Sequence, residues 1–329
     1  MENFEYARPK TLAKAVELLG TNPKEAELLA GGTDLLARMK DYISSPRRVI
    51  SLKGIPELGG IRAESGGTVI GALTTIEQVA EDATIGKDFP TLSRAAKTVA
   101  GPQIRTMATI GGNLCQRPRC WYYHSGFGLL AQDSTGKSLV PNGENRYHAI
   151  LGNEGPAYYV HPSSLAPALI ALEARVRVHG PKGMREVALA DFYVTPKNEN
   201  ERENVLQANE IVSEVWLPSS ERGARGSFYE ISHRHEMEWP FASAAVKLRL
   251  DGGRVSHARI VLGHVAPVPW PAPAAEKAIV GQAVTSETAW KAGEAATMGA
   301  RPLSQNGYKV QLVKVAVQRA LLAAAGKEA

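Results

Sequence analysis

Apolar and polar positions follow two periods along the chain, and glycine or proline separates one run from the next. Residues that recur every three or four positions indicate amphipathic helices, whereas strict alternation and short β-branched runs indicate strands. The first part of the chain therefore predicts a helix from Thr11 to Leu19, a strand from Ala26 to Leu29, a helix from Asp34 to Tyr42, and strands from Arg47 to Leu52 and from Thr68 to Leu73.

The middle of the chain contains a long stretch without periodicity, from Asn113 to Gly155. Before it, TTIEQVAED and FPTLSRAAKTVAG predict helices, the second of which ends at Gly101-Pro102. After it, SSLAPALIALEA predicts a helix, and RVRVHG, REVAL and EIVSEVWLP predict strands. The charged, glycine-bearing segment from Pro218 to Gly226 is the best candidate for a domain boundary.

The last hundred residues form a different pattern. SFYEIS, FASAAVKLRL and RVSHARIVLGHV are alternating or β-branched runs joined by turns such as Asp251-Gly252-Gly253, which predicts a three-stranded antiparallel sheet. Three helices then close the chain, and the last places four apolar residues on one face: Val310, Val313, Val317 and Leu321. Because strands and helices mix without a steady βαβ rhythm, the predicted fold class is α+β.

Length and composition narrow the class of protein. A chain of 329 residues favours two or three cores, and 44% hydrophobic with 22% charged residues is typical of globular proteins. The net charge of +5 is spread along the chain, so no basic run indicates a nucleic-acid-binding arm. No apolar stretch reaches the roughly 18 residues of a membrane span, and MENFEYARPK lacks the order of a signal peptide. We therefore expect a cytoplasmic protein.

The segment LLAGGTDLLARM places a glycine loop between a predicted strand and a predicted helix. Such a loop exposes backbone N–H groups, and the helix dipole favours negative charge there. Gly31 and Gly32 allow close approach of a ligand, while the side chains of Thr33 and Asp34 can cap the helix or bind a ligand hydroxyl. Taken alone, the loop is better explained as a tight turn with a helix cap, and it is not the G-x-G-x-x-G pattern of a Rossmann fold.

A second glycine loop lies in TMATIGGNL, after the helix stop AGPQIR. Two loops of this kind, about eighty residues apart, are able to converge on the two phosphates of one dinucleotide. Both loops together therefore favour binding of a pyrophosphate over a purely structural turn.

Several motifs, in this order and spacing, resemble the FAD-binding medium subunit of the molybdenum hydroxylases, the xanthine dehydrogenase and carbon monoxide dehydrogenase family. They are LLAGGTDLLARMK, AGPQIRTMATIGGNLCQRPRCWYY, GENRYHAI, HPSSLAPALIALEA and APVPWPAPAAE. The resemblance covers essentially the whole chain. It implies a two-part FAD-binding domain of the vanillyl-alcohol-oxidase-like type, with subdomains 1–56 and 57–219, and a small α+β C-terminal domain, 222–329, with a three-stranded antiparallel sheet and helices.

The resemblance also implies a set of FAD-binding residues. In that family the segment matching Leu28 to Leu36 wraps the pyrophosphate and part of the ring edge, and the segment matching Thr109 to Asn113 supplies further backbone donors. The implied cofactor-binding residues are Leu28, Leu29, Ala30, Gly31, Gly32, Thr33, Asp34, Leu35, Leu36, Ala100, Gly101, Thr109, Ile110, Gly111, Gly112, Asn113, Ser164, Val212 and Glu230. Four of them are candidates for an apolar wall beside the flavin or for core positions: Leu29, Leu35, Ile110 and Val212.

Two of these positions depart from the family pattern. Many relatives have Asp where this chain has Ser164, and Lys where it has Glu230. Ser164 can still donate or accept one hydrogen bond, so we expect a weaker contact. A carboxylate at position 230 either disfavours negative charge on the reduced ring or points into solvent.

The stretch 114–156 resembles an insertion loop in the branch that includes hydroxybenzoyl-CoA reductase and a bacterial aldehyde oxidoreductase, where four cysteines hold a [4Fe–4S] cluster. Cys115 and Cys120 match the first two, but the third falls near Ser138 and the fourth on Ala157. Because a cubane takes four thiolates, we expect no metal here and interpret the two cysteines as remnants of a cluster site. His124, His148 and His161 lack the spacing of a zinc finger with these cysteines.

The resemblance implies an FAD-carrying electron-transfer subunit without an acid–base triad. Its partners would be a large molybdopterin-binding subunit and a small subunit with two [2Fe–2S] clusters, in a dimer of heterotrimers, with an external electron acceptor. The alternatives are a stand-alone flavoprotein oxidase of the vanillyl-alcohol-oxidase-like superfamily and a scaffold that has lost its flavin. The intact glycine loops disfavour the scaffold.

Overall fold

The structure, a computed structural model, describes residues 1–222, 224–234 and 238–327. Within this part of the chain there are three separate sheets. The strands are β1 (Glu5–Ala7), β2 (Ala26–Leu29), β3 (Arg48–Ser51), β4 (Ile61–Glu64), β5 (Gly67–Gly71), β6 (Arg175–Gly180), β7 (Gly183–Ala188), β8 (Ile211–Pro218), β9 (Arg225–Ile231), β10 (Ala242–Asp251), β11 (Arg254–Gly263) and β12 (Trp270–Pro271). The helices are α1 (Leu12–Leu19), α2 (Leu35–Lys40), α3 (Ile76–Glu81), α4 (Ala83–Asp88), α5 (Pro90–Thr98), α6 (Pro102–Arg105), α7 (Ile110–Cys115), α8 (Trp121–His124), α9 (Leu165–Ala171), α10 (Pro273–Ile279), α11 (Ser286–Ala296) and α12 (Tyr308–Ala324).

The first sheet is parallel, with β3 between β1 and β2. The side chain of Thr11 accepts a hydrogen bond from the backbone N–H of Lys14, so α1 begins where the sequence predicts it. Helix α1 buries one face at helical spacing: Leu12, Ala15, Val16 and Leu19. Strand β2 leads directly into the first glycine loop, so this small sheet fixes the position of that loop.

The second sheet has the order β4-β5-β8-β6-β7 and is antiparallel. Strand β4 escapes prediction because it lies at an edge and no residue in it is fully buried. The segment TTIEQVAED forms α3, and a helix that the sequence did not predict, α4, begins directly after it, because the side chain of Asp82 accepts a hydrogen bond from Ile85 N. Helices α3, α5, α7 and α9 share one large apolar core with β5, β6 and β8.

The C-terminal sheet is antiparallel with the order β12-β11-β10-β9, so it has four strands. The prediction of three strands was wrong. The missing strand, β12, is two residues long and includes a proline, too short for any periodic pattern to reveal. Helices α10, α11 and α12 pack on this sheet, and α12 buries Val313, Val317 and Leu321 as predicted, with Val310 half-buried beside them.

The stretch without periodicity is ordered by side chains rather than by a sheet. It contains α8, and it forms a small core with residues that follow it: Tyr123, Leu129, Leu130, Ala157 and Tyr159. The side-chain amide of Asn145 donates to the carbonyl of Val140 at 3.2 Å, and its Oδ1 accepts from Gln305 N at 2.9 Å. The second of these bonds ties the stretch to the segment that precedes α12.

The predicted boundary segment from Pro218 to Gly226 joins β8 to β9. Gly223 within it, and Glu328 and Ala329 at the end of the predicted C-terminal domain, lie outside the described residues, as do positions 235–237. Among the helices that the structure describes, none has the length and apolar character needed to cross a membrane.

Candidate functional site

The two glycine loops meet at a cavity of about 920 Å³, here called the central cavity. Its volume lies within the range of small-molecule and cofactor sites. It is lined by both loops, by the turn around Ala100, by Ser164 and Val212, and by Trp239 and Pro240. The structure thus brings together segments that are far apart in the sequence.

Most of the predicted site residues line this cavity. They are Leu28, Ala30, Gly31, Gly32, Thr33, Asp34, Leu35, Ala100, Thr109, Gly111, Gly112, Asn113, Ser164 and Val212. The other predicted residues do not line it: Leu29, Leu36, Gly101, Ile110 and Glu230. All four candidates for an apolar wall pack in apolar cores, but only Leu35 and Val212 also line the cavity.

The first glycine loop, Ala30 to Asp34, presents a row of free backbone donors. Among the described residues, no hydrogen bond uses the N–H groups of Gly31, Gly32, Thr33, Asp34 or Leu35. Gly32 has a φ of 84°, a conformation that favours glycine. Consecutive backbone N–H groups around a left-handed residue form a concave anion site. The loop therefore suits a phosphate or pyrophosphate.

Gly31 is required for a different reason. A Cβ atom at this position would lie 2.1 Å from the carbonyl oxygen of Met107, in the chain just before the second glycine loop. At Gly31 the first loop therefore lies against the backbone that leads into the second loop, and this contact places both loops at one cavity.

The second glycine loop, Thr109 to Asn113, is mostly committed to the fold. The N–H of Ile110 donates to Thr74 O and that of Gly111 to Ala72 O, both at 2.9 Å. The N–H of Gly112 donates to Thr109 Oγ1 and that of Asn113 to Thr109 O. Among the described residues of this loop, only the N–H of Thr109 is free. The loop was expected to supply further backbone donors to a ligand; four of its five N–H groups are instead used by a β-bridge, by the cap of α7 and by other backbone bonds, which leaves Thr109 as the donor.

Asp34 does not cap α2, contrary to one of its two predicted roles. Its carboxylate is 3.0 Å from Arg38 Nε and 2.8 Å from Arg119 Nη2. Arg38 also binds Glu27 with two hydrogen bonds, at 3.1 and 2.6 Å. Burial would raise the pKa of Glu27, but the Arg38 guanidinium lowers it below its usual value. Two guanidinium groups thus neutralise Asp34 beside the anion site.

Arg119 is a site residue that sequence reasoning missed. Its guanidinium lies over the indole ring of Trp239, 5.0 Å from the ring centroid, at the edge of the central cavity. The only signal in the sequence was its position in CQRPRCWYY, which was interpreted through its cysteines. It connects the insertion loop to Asp34 on α2.

Arg105 supports the turn around Ala100, which has a φ of 44°. Its buried guanidinium donates to the carbonyls of Lys97 at 3.0 Å and Ala100 at 2.8 Å, and to Glu77 Oε2 at 2.7 Å. A non-glycine residue in the left-handed region is strained and persists only when its surroundings hold it. Arg105 provides that restraint.

We expect Arg105→Gln to lower the free energy of unfolding by about 3 kcal/mol, because it breaks a partly buried ion pair and leaves buried carbonyl groups without donors. The urea-unfolding midpoint measures the effect. Arg105→Lys, which keeps the charge but loses the planar fork, should fall between Gln and wild type. If the Gln and Lys variants are equally stable, the charge of residue 105 does not restrain the turn around Ala100.

Ser164 and Glu230 are in contact. Ser164 Oγ donates to Glu230 Oε2 at 3.2 Å, and the same hydroxyl is 3.2 Å from His264 Nε2. All three residues are buried, with exposed fractions of 6%, 8% and 1%. Glu230 therefore does not point into solvent, which had been one of two expectations for it. Sequence reasoning missed His264, for which neither spacing nor resemblance gave a signal.

The predicted remnants of a cluster site lie in two different environments. Cys115 packs against the large core that includes β5, β6 and β8, whereas Cys120 packs beside Ala157 in the small core of the insertion loop. Burial raises the pKa of the Cys115 thiol to about 12 and also raises that of Cys120. Among the described residues, no group of three or more His, Cys, Asp or Glu side chains is arranged to hold a metal ion.

Two family models match the chain. The first, described as an FAD binding domain in molybdopterin dehydrogenase, matches residues 2–220. The second, described as a CO dehydrogenase flavoprotein C-terminal domain, matches residues 227–324. Together they cover both sides of the boundary segment.

Characterised relatives match over nearly the full length. The carbon monoxide dehydrogenase medium chain of Hydrogenophaga pseudoflava is 32% identical, with 98% of this chain and 96% of the relative covered. The aldehyde oxidoreductase FAD-binding subunit PaoB of Escherichia coli K12 is also 32% identical, with 95% and 96% covered. The xanthine dehydrogenase FAD-binding subunit of Escherichia coli O157:H7 is 28% identical, with 98% and 97% covered.

Solved structures have the same fold. A carbon monoxide dehydrogenase chain from Hydrogenophaga pseudoflava, in an enzyme that lacks the Mo-pyranopterin moiety of its cofactor, superimposes with a TM-score of 0.77 at 31% identity, covering 100% of this chain and 99% of the other. A chain of quinoline 2-oxidoreductase from Pseudomonas putida 86 gives a TM-score of 0.77 at 26% identity, covering 99% and 98%.

Proposed function

The chain belongs to the family of FAD-binding medium subunits of molybdenum hydroxylases, and from this premise we propose that it binds FAD in the central cavity and transfers electrons between partner subunits and an external acceptor. The observation that carries the proposal is the row of free N–H groups from Gly31 to Leu35. A pyrophosphate needs donors of this kind. FAD supplies the redox chemistry when bound, and the protein supplies its position and its electrostatic environment.

We assign roles to residues of this chain from their contacts. The N–H groups of the first glycine loop and of Thr109 would bind the pyrophosphate, and Arg38 and Arg119 keep Asp34 from repelling it. Leu35 and Val212 would exclude water from the flavin, and Ala100 would lie at its edge. The remaining predicted residues act by supporting these: Leu29, Leu36, Gly101, Ile110 and Glu230.

The division into 1–56, 57–219 and 222–329 is also part of this proposal. It is supported by the sheets, because each range contains one: β1 to β3 in the first, β4 to β8 in the second and β9 to β12 in the third. We also propose that the first two ranges form the two parts of an FAD-binding region of the vanillyl-alcohol-oxidase-like type.

We test binding with purified full-length chain stripped of flavin. FAD should bind much more tightly than FMN, because FMN lacks the pyrophosphate, and ADP should compete with FAD. Flavin fluorescence and displacement by ADP measure both effects. Equal affinity for FMN and FAD would show that the first glycine loop is not the pyrophosphate site.

For partners, we propose a large molybdopterin-binding subunit and a small subunit with two [2Fe–2S] clusters, in a dimer of heterotrimers located in the cytoplasm. The relatives named as carbon monoxide dehydrogenase medium chain and xanthine dehydrogenase FAD-binding subunit support this assembly. Copurification of both partners, with flavin reduction by substrate only when they are present, tests it. Flavin reduction by a small substrate in this chain alone would support the stand-alone oxidase instead.

We further propose that the chain is closest to the branch with an insertion loop, 114–156, and that its cluster site is lost. Ala157, at the position of the fourth cysteine, is fully buried among tyrosine and leucine side chains. The raised thiol pKa values of Cys115 and Cys120 also disfavour the thiolate form that a cluster requires.

We expect Cys115→Ser and Cys120→Ser, combined in one chain, to leave the iron content of the assembled complex unchanged, because two thiolates do not hold a stable cubane. Iron analysis of both complexes, normalised to the small subunit, measures this. Iron beyond that of two [2Fe–2S] clusters, lost in the double variant, would show that a cluster survives.

A further inference from the structure

The hydroxyl of Ser164 is not used for the helix that follows it. Ser164 occupies the N-cap position of α9 but makes no capping hydrogen bond. The neighbouring Ser163 takes that role, because its Oγ accepts from Ala166 N at 3.0 Å. Ser164 also lines the central cavity. Its hydroxyl is therefore available to Glu230, to His264 and to whatever the cavity holds.

A serine hydroxyl has one hydrogen and two acceptor positions. Ser164 donates its hydrogen to Glu230 Oε2. The contact with His264 Nε2 must then have the imidazole as donor, since Ser164 has no second hydrogen to give. One position on Ser164 Oγ is left, and it is an acceptor. The Ser164 hydroxyl thus offers the cavity a lone pair and no proton.

His264 is well restrained for this role. It follows β11 with a φ of 62°, in a region where histidine occurs more often than most residues. Its carbonyl accepts a hydrogen bond from Lys309 Nζ on α12 at 2.7 Å. Burial, and the charge of Lys309, lower the pKa of His264 to about 3, so its ring is neutral and carries one N–H. The C-terminal domain thereby holds the imidazole against Ser164.

We propose that His264 is a positioning residue for the cofactor: by donating to Ser164 Oγ while Glu230 accepts the hydroxyl hydrogen, it fixes Ser164 as a hydrogen-bond acceptor for a ring N–H of the bound flavin. The inference rests on the proposed function, because it takes FAD as the occupant of the central cavity. The oxidised isoalloxazine ring has one N–H, at N3. The acceptor therefore selects that edge of the ring.

The experiment compares FAD with FAD methylated at ring N3, using full-length chain stripped of flavin and measuring affinity by flavin fluorescence. We expect Ser164→Ala to weaken FAD about tenfold, the equivalent of about 1.4 kcal/mol, and to leave the affinity for the methylated cofactor unchanged. His264→Phe should weaken FAD in the same selective way, and His264→Gln should restore it, because the Gln side-chain amide places a donor near the position of Nε2.

A double variant separates positioning from general damage. In the Ser164→Ala background, His264→Phe should have no further effect on FAD affinity if it acts through Ser164. The matched control is His161→Phe, which removes another buried imidazole whose pKa burial lowers to about 3 and which does not contact Ser164 in the described structure. That control should affect both cofactors equally.

The outcomes distinguish the inference from the proposed function. Failure of wild type to bind either cofactor would contradict the proposed function. If wild type and Ser164→Ala prefer FAD over the methylated cofactor by the same factor, the inference is overturned, while the proposed function still stands. Should His264→Phe fail to fold, Ser164→Ala and His264→Gln still decide it.

Discussion

Gly31→Ala should lower the stability of the chain more than any other single methyl addition in the glycine loops. The added Cβ would lie 2.1 Å from Met107 O and 2.8 Å from the Met107 carbonyl carbon, so backbone has to move. That backbone is held by hydrogen bonds from Ala108 N to Ile104 O at 2.7 Å and from Ile76 N to Ala108 O at 2.9 Å. We expect a loss on the order of 3 kcal/mol, as for severe overpacking.

The measurement is urea unfolding of the flavin-free chain. With a slope of about 3 kcal/mol per molar urea, the first transition should move down by about 1 M. Gly59→Ala is the control, because Gly59 has a φ of −107° and the nearest atom to an added Cβ is Pro56 O at 3.6 Å. Equal midpoints for the two variants would mean that the loops are not held together at Gly31.

The large elements of the fold follow from periodicity. Helix α1, strands β2, β3, β5, β6, β8, β10 and β11, and helix α12 lie where the apolar pattern places them. Those that escaped prediction are short or exposed. Strand β1 has no fully buried residue, and β12 pairs only Val261 with Pro271 and Leu262 with Trp270. Such strands are defined by their neighbours rather than by their own sequence.

The candidate site likewise has features that the sequence predicts and features that only tertiary contacts decide. Glycine pairs after an apolar residue mark the loops, and the resemblance supplies Ser164 and Val212. Which backbone donors stay free is decided by tertiary pairing: Gly111 N reaches Ala72 O only because the second loop lies against the turn after β5. Arg105 binds carbonyls only five and eight residues before it, but no periodic pattern marks that turn, and His264 contacts a serine one hundred residues away.

Gly111 and Gly112 are adjacent in sequence but face different surroundings. A Cβ on Gly111 would lie 2.7 Å from the Cβ of Ala72, within the fold. A Cβ on Gly112 would meet Thr109 Oγ1 at 3.0 Å, the side-chain atom that caps α7, and Ala30 at 4.0 Å across the space between the two loops. Gly111 therefore serves packing, and Gly112 keeps open the space that the cofactor would enter.

We expect Gly112→Val to reduce FAD affinity about 100-fold, the equivalent of about 2.7 kcal/mol, because its methyl groups would stand between the two loops. Its free energy of unfolding should fall only by about the loss of the Thr109 cap, on the order of 1 kcal/mol. Gly111→Val should instead act mainly on folding, with a large decrease in the free energy of unfolding measured on flavin-free chain. Gly112→Ala, which adds only the Cβ, should lie between wild type and Gly112→Val in FAD affinity. Stoichiometric FAD at wild-type affinity in Gly112→Val would place the pyrophosphate away from the second loop and leave the first loop as its sole site.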